Sequence, residues 1–189
     1  MANHVYVFRH GQSTFNRDGK FTGWLDAKLT ENGKKNAREI ARKLKGKKID
    51  VAIHTRLSRS KETLKIVLKF HPECKKILED DRMIERSYGI FQGKTHEEFI
   101  KKFGEGEYEK VHRGYNTRAP GGESFADVEK RVKLFVKWLR DYVKKNGVNV
   151  AISAHGNSIR IFRKIIENAP REKAVKWVIP YDKVYHYSI

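Results

Sequence analysis

A single cysteine, Cys74, stands in 189 residues. That excludes an internal disulfide and any cysteine-built metal site, and it suits a reducing compartment. No apolar run approaches the roughly 20 residues that a membrane-spanning helix needs. No signal-peptide pattern is visible before the first strand-like run, so the expected location is the cytoplasm. The sequence also lacks a Walker-type phosphate loop, any His, Cys, Asp and Glu set with metal-ligand spacing, an internal repeat and a linker. Acidic residues are scarce beside basic ones, 23 against 41, which leaves a formal net charge of +18. Lys and Arg are dispersed over nearly every predicted helix, with no basic arm or low-complexity tail. Such dispersal argues against a dedicated nucleic-acid surface and leaves small anionic molecules as the expected partners.

With 39% hydrophobic and 34% charged residues, the chain has the composition of a soluble globular protein. Its length fits one domain, residues 1–189. Short β-prone runs, Val5–Phe8, Ile49–His54, Val148–Ser153 and Val184–Ser188, alternate with helical patterns. Residues 30–45 carry Ala37, Ile40, Ala41 and Leu44 at helical spacing and end before Gly46. A helix is predicted over 58–70, another over 157–168, and a short one opened by a capping box at Thr95–Glu98. The longest helix, 124–145, places Val128, Val132, Phe135, Val136, Leu139 and Val143 on one face and stops at Gly147. Alternating strands and helices predict an α/β fold with a mostly parallel central sheet and helices on both faces. The glycine-rich stretch 82–123 is the least regular and reads as a segment covering a site.

Two segments share one design: a buried strand, a histidine at its end, a glycine, then a helix. The first runs Arg9-His10-Gly11, the second Ala154-His155-Gly156-Asn157. Ligands of open α/β sheets bind at the carboxyl ends of the strands. The glycines are expected to let backbone approach a ligand, and the amides opening the second helix to cradle a phosphate. An imidazole can take a phosphoryl group covalently, and the transfer needs cationic and N–H donors around the equatorial oxygens. Arg9, Arg59 and Asn16 are donors of that kind. Glu85, in the covering segment, is the candidate proton donor to the leaving oxygen. His4, His54, His71, His112 and His186 lack this setting and read as structural or surface residues. His96, in the capping-box turn, reads as solvated.

The chain resembles the histidine phosphatase superfamily, and within it the cofactor-dependent phosphoglycerate mutases. Arg9-His10-Gly11-Gln-Ser13-Thr-Phe-Asn16 resembles R-H-G-E-S-x-W-N. Phe21-Thr22-Gly23-Trp24-Leu-Asp26 resembles F-T-G-W-x-D. Glu85-Arg86-Ser-Tyr88-Gly89 with Gln92-Gly93 resembles E-R-x-Y-G-x-x-Q-G, and His155-Gly156-Asn157-Ser158 resembles H-G-N-S. The resemblance implies that His10 becomes a phosphohistidine, and that Arg9, Arg59 and His155 form the phosphate pocket with Ser13, Asn16, Gly156 and Asn157. It implies Glu85 as acid/base, and Thr22, Gly23, Tyr88 and Arg113 around the rest of the substrate. The implied reaction interconverts 3- and 2-phosphoglycerate, primed by 2,3-bisphosphoglycerate, with no bound metal. Two cations of the mutase pattern are absent. His96 stands where a lysine is expected, and His112-Arg113 where an arginine pair is expected. Lys94 and Arg118 are candidates to replace them. The Arg118-Ala-Pro-Gly-Gly-Glu123-Ser124 junction is shared by short mutases and phosphatases, so a phosphatase of small phosphate monoesters, such as sugar phosphates or α-ribazole phosphate, is the alternative. A regulatory or nucleic-acid-binding member of the fold ranks third, because both histidines are kept. The sequence leaves self-association into a homo-oligomer open.

Overall fold

The computed structural model of the chain describes residues 3–189. Its core is a five-stranded sheet: β1 (His4–Arg9), β2 (Val51–His54), β3 (Lys76–Glu79), β4 (Val150–Ala154) and β5 (Val184–Ser188), in the order β3-β2-β4-β1-β5. β3, β2, β4 and β1 run parallel, and β5 closes the β1 edge antiparallel. Among the described residues the α-helices are α1 (Thr14–Arg17), α2 (Glu31–Leu44), α3 (Ser58–Val67), α4 (His96–Phe103), α5 (Glu105–Arg113), α6 (Phe125–Asn146), α7 (Gly156–Ile166) and α8 (Arg171–Ala174).

Strand alternation decides what each helix covers. Tyr6, Phe8, Ala52 and Ala151 point to one face and pack with Ile40, Ala41 and Leu44 of α2 and Leu64 and Val67 of α3. Val5, Val7, Val51, Ile53, Val150 and Ile152 point to the other, against α6 and α7. Both faces are therefore dry, as a parallel sheet requires. The predicted face of α6 is the buried one, and at about 1.5–3 kcal/mol per fully buried Val or Phe it is a main source of stability. Phe135, fully buried against Phe162, is a single point of failure: truncation to Ala costs about 3–5 kcal/mol.

Local chemistry sets the helix ends. Thr30 caps α2 through Gly33 N. Thr95 with Glu98, and Ser124 with Asp127, form capping boxes on α4 and α6. Gly147 ends α6 in the left-handed region at φ 63°. The predicted helix over 58–70 tightens into a 3-10 turn at Leu68–Phe70. Three elements were not anticipated: β3, α5 and α8. Segment 82–123 is also more regular than its glycines suggest, since it holds α4 and α5 as well as short 3-10 turns. Phe21, Tyr88, Phe91, Phe99 and Val111 give it an apolar cluster of its own, apart from the sheet.

Candidate active site

β1 and β4 pair in register, Arg9 opposite Ala154, and His10 N donates to Ala154 O at 3.0 Å. This pairing brings His10 and His155 together at the carboxyl end of the sheet, ring centroids 5.0 Å apart. Both are buried. His10 Nδ1 lies 2.7 Å from Gly11 O. A carbonyl only accepts, so Nδ1 carries the proton. Arg59 Nε donates to His10 Nε2 at 3.3 Å, which requires a lone pair there. Both contacts select the same tautomer, with Nε2 unprotonated as a nucleophile must be.

Arg59 is fully buried in the first turn of α3. Its guanidinium is held by Leu25 O and Gly23 O, each at 2.8 Å. Burial lowers its pKa to about 10, so it stays a cation near neutral pH. Gly23, at φ 53°, accepts that contact in a turn where a Cβ would lie 2.0 Å from Gln92 Oε1. Gly11 serves a different end from the one expected. A Cβ there would meet Gly33 O at 2.1 Å, so this glycine seats the His10 loop on the first turn of α2 rather than opening it to a ligand.

The start of α7 also differs from expectation. Asn157 N is not an open phosphate cradle; it donates to Glu85 Oε1 at 3.1 Å, as does Arg86 N at 2.8 Å. A carboxylate against the positive end of a helix is electrostatically favoured. Glu85 is 8% exposed and lines the cleft. Its own carbonyl is fixed by Trp24 Nε1 at 2.7 Å and Arg131 Nη2 at 3.1 Å. Arg131 also bonds Ile84 O and pairs with Glu123, and buried Arg86 bonds Glu123 O and Val111 O. These two arginines tie the covering segment to α5 and α6.

The cleft has a volume of about 300 Å³. Its walls include Arg9, Asn16, Thr22, Gly23, Glu85, Tyr88, Arg113, Gly156 and Asn157, all expected there, plus Lys20, His96, His112 and Arg160. His10 and His155 are buried beside it, each next in the chain to a wall residue, Arg9 and Gly156. Ser13, expected in the phosphate pocket, is fully buried and caps α1; its backbone and hydroxyl donate to Asn16 Oδ1, which leaves the Asn16 amide nitrogen as the donor. His96, expected to be solvated, and His112, expected to be structural or at the surface, are both half-buried in the cleft wall. Their rings lie 5.5 Å apart in the wall, and Tyr108 Oη is 2.9 Å from His96 Nδ1. Neither candidate replacement cation reaches the cleft. Arg118 pairs with Asp127 on the surface, and Lys94 is exposed on another face. Lys20 and Arg160 stand in the walls instead. Arg160, on α7, bonds Trp177 O and Asn157 Oδ1, and burial lowers its pKa to about 10. Sequence reasoning missed it, although it lies one helical turn beyond Asn157 and so on the same face.

The cleft walls are rich in cations, with Glu85 as the one carboxylate there among the described residues. Burial first, then Arg59 and Arg9, hold His10 well below the usual histidine range. Burial, Arg59 and His10 do the same for His155. Burial and Arg113 bring His112 to about 3. All three are neutral at pH 7 before an anion binds. Arg9 Nε and His155 Nδ1 are buried without a partner among the described residues, and an anion beside them would satisfy both. Among the described residues, no three His, Cys, Asp or Glu converge as a metal site, and no helix is long and apolar enough to cross a membrane.

Two buried imidazoles beside arginines, at the carboxyl end of a mostly parallel α/β sheet, are the groups that a phosphoryl-transfer site of the histidine type needs. The chain belongs to the histidine phosphatase superfamily, branch 1, whose family model matches residues 5–189. It is an enzyme of that family. It is 37% identical over 179 residues to a 2,3-bisphosphoglycerate-dependent phosphoglycerate mutase of Parvibaculum lavamentivorans, covering 93% of this chain and 85% of that protein. It is 34% identical over 178 residues to a phosphoglycerate mutase of Schizosaccharomyces pombe, covering 92% and 84%. Among solved structures it matches YhfR of Bacillus stearothermophilus with a TM-score of 0.84 at 25% identity, covering 98% and 90%. It shares its fold with a mycobacterial glucosyl-3-phosphoglycerate phosphatase, TM-score 0.82 at 20% identity, covering 99% and 97%.

Proposed function

We propose that this enzyme is a phosphoglycerate mutase that interconverts 3- and 2-phosphoglycerate through a phosphohistidine on His10. One observation carries the reading. Beyond the donors that a single phosphoryl group needs (Arg9, Arg59 and His155), the same cleft holds a second set of cations, Lys20 and the hydrogen-bonded Arg113 and Arg160. A substrate bearing a carboxylate besides its phosphate gives the second set a partner, which an ester with a single anionic group would not.

In the proposed reaction His10, phosphorylated by the primer, gives its phosphoryl group to the free 2-hydroxyl of 3-phosphoglycerate: the Nε2–P bond breaks, the O–P bond forms, and the Glu85 carboxylate takes the hydroxyl proton. His10 Nε2 then bonds to the 3-phosphoryl phosphorus of the resulting bisphosphate as that ester P–O bond breaks, and Glu85 returns the proton to the leaving oxygen. Arg9, Arg59 and His155 hold the phosphoryl oxygens throughout. Two phosphates would fit the two cation sets, so 2,3-bisphosphoglycerate is the expected primer, donating the first phosphoryl group.

A phosphatase of small phosphate monoesters is the second reading, and a specific feature favours it. Where the mutase pattern has cations, His96 and His112 form a neutral wall with Phe21 and Tyr108. A paired assay on chelator-treated protein separates the readings. Isomerisation of 3-phosphoglycerate that depends on the bisphosphate, with little phosphate released, supports the mutase. Phosphate release without isomerisation rejects it.

A further inference from the structure

Four fully buried hydroxyls, Thr55, Ser60, Thr63 and Ser153, lie between β2, α3 and β4. A hydroxyl hydrogen shut away from water needs an acceptor. Ser60 Oγ donates to Ser153 O at 2.7 Å, and Ser153 Oγ returns the bond to Ser60 O at 3.0 Å. Thr63 Oγ1 donates to Arg59 O at 2.8 Å. Thr55 Oγ1 has one partner among the described residues, His155 Nε2 at 2.8 Å. If His155 Nε2 carried the proton, both the Thr55 hydrogen and the Nδ1 lone pair would be buried without a partner among the described residues, whereas the Nδ1–H form leaves one group unmet, an N–H that a bound anion can accept from. The Thr55 hydroxyl therefore donates, and Nε2 receives with its lone pair. A neutral imidazole has a single N–H, so the proton sits on Nδ1, the buried nitrogen without a protein partner.

We propose that Thr55 is a positioning residue: by donating to Nε2 it holds His155 in the Nδ1–H form, so that the ring offers a hydrogen-bond donor to an oxygen of the phosphoryl group carried by His10. This deepens the phosphohistidine reading above and rests on it. The two rings are set in complementary ways. Gly11 O takes the Nδ1 proton of His10 and leaves Nε2 as the nucleophile. Thr55 fills Nε2 of His155 and leaves Nδ1–H as the donor. Protonating Nε2 as well would oppose the hydroxyl hydrogen, and burial with Arg59, His10 and Arg131 pushes the same way. His155 thus acts as a neutral donor and adds no charge that would compete with the arginines.

The first test needs no variant. Nitrogen-15 NMR of histidine-labelled protein at pH 7, with the His155 signals assigned by their loss in His155→Gln, should show the Nδ1–H tautomer. Thr55→Val, nearly isosteric, should shift it to Nε2–H or a mixture, and Thr55→Ser should preserve it. Phosphoryl transfer from an aryl phosphate to His10 should slow about 100-fold in Thr55→Val with KM little changed, as for loss of one transition-state donor, and Thr55→Ser should keep most of the rate. An Nε2–H signal in the wild type, or an unchanged tautomer in Thr55→Val, overturns the proposal. A failed mutase assay with the Nδ1–H tautomer in place rejects the mutase reading alone.

Discussion

Glu85→Gln is the perturbation that most directly separates chemistry from architecture. Oε1 of Glu85 accepts from Arg86 N at 2.8 Å and Asn157 N at 3.1 Å, and Oε2 has no hydrogen-bond partner among the described residues. Glutamine can keep its amide oxygen at the Oε1 position, so both backbone bonds survive and stability should change by less than about 1 kcal/mol. What is lost is the oxygen that carries a proton. General acid–base catalysis contributes about 10²–10⁴-fold, or roughly 3–5 kcal/mol of barrier. That penalty should fall in full on 3-phosphoglycerate, whose leaving oxygen is an alkoxide. It should be far smaller for an aryl phosphate, whose phenolate leaves without a proton. The assay compares single-turnover phosphorylation of His10 by the two donors in wild type and Glu85→Gln. Equal losses with both donors would refute proton donation and return Glu85 to the role of a cap on α7.

The buried histidines make an acid limit. His10, His155 and His112 have folded pKa values below that of the unfolded chain, so their contribution is fully present above about pH 6.5 and is lost as pH falls, each adding up to about 1.4 kcal/mol per pH unit. Denaturant midpoints between pH 7 and 5 should drop steeply, and His112→Asn should flatten the slope; a flat wild-type profile contradicts this. Gly11→Ala forces a Cβ to 2.1 Å from Gly33 O, so it should cost about 1–3 kcal/mol in urea unfolding and displace His10, slowing turnover too. Wild-type stability and rate in that variant would mean the loop is not held by α2. His96→Lys with His112→Arg adds two fixed cations to the wall. The KM ratio of glycerol 3-phosphate to 3-phosphoglycerate should rise about tenfold, the effect of about 1.4 kcal/mol; an unchanged ratio places the carboxylate elsewhere.

What the sequence revealed of the fold follows from burial. β1 and β4 are dry on both faces and read as apolar runs, and α6 repeats its apolar residues at helical spacing over 22 residues. β3 was invisible because three of its four residues are exposed; Lys76–Glu79 is a strand only because β2 pairs with it. α5 follows Gly104 at φ 83°, contains Gly106 and buries only Val111, so no periodicity marks it. In the site, residues adjacent in sequence were legible: Arg9 with His10, and His155 with Asn157. Thr55, Arg131 and Arg160 were not. Each is an ordinary loop or helix residue until packing puts it against His155, the Glu85 carbonyl or Asn157.

The same reason explains how the missing cations mislead. A motif compares positions one at a time, so His96 and His112 register as lost charges. The cleft is assembled from separate elements, and an anion senses only the summed field. Lys20 enters from the loop after α1, Arg113 from α5 and Arg160 from α7. Arg160 is aimed through Trp177 O, and Arg113 through Val175 O at 3.1 Å, both acceptors in the segment after α7. Arg160 is therefore anchored on the α7 side of the cleft, while Arg113 ends α5 of the covering segment and ties that segment to Val175 O; the His96, Tyr108 and His112 rings of the same segment are neutral beside it. An anionic acceptor held by Arg160 and Arg113 spans the two sides of the cleft, and transfer to alcohol rather than water then depends on how well the Phe21, His96, Tyr108 and His112 rings exclude solvent. Opening that wall with Tyr108→Ala should raise phosphate release relative to isomerisation; an unchanged partition would show that water is excluded by the arginines and the bound substrate alone.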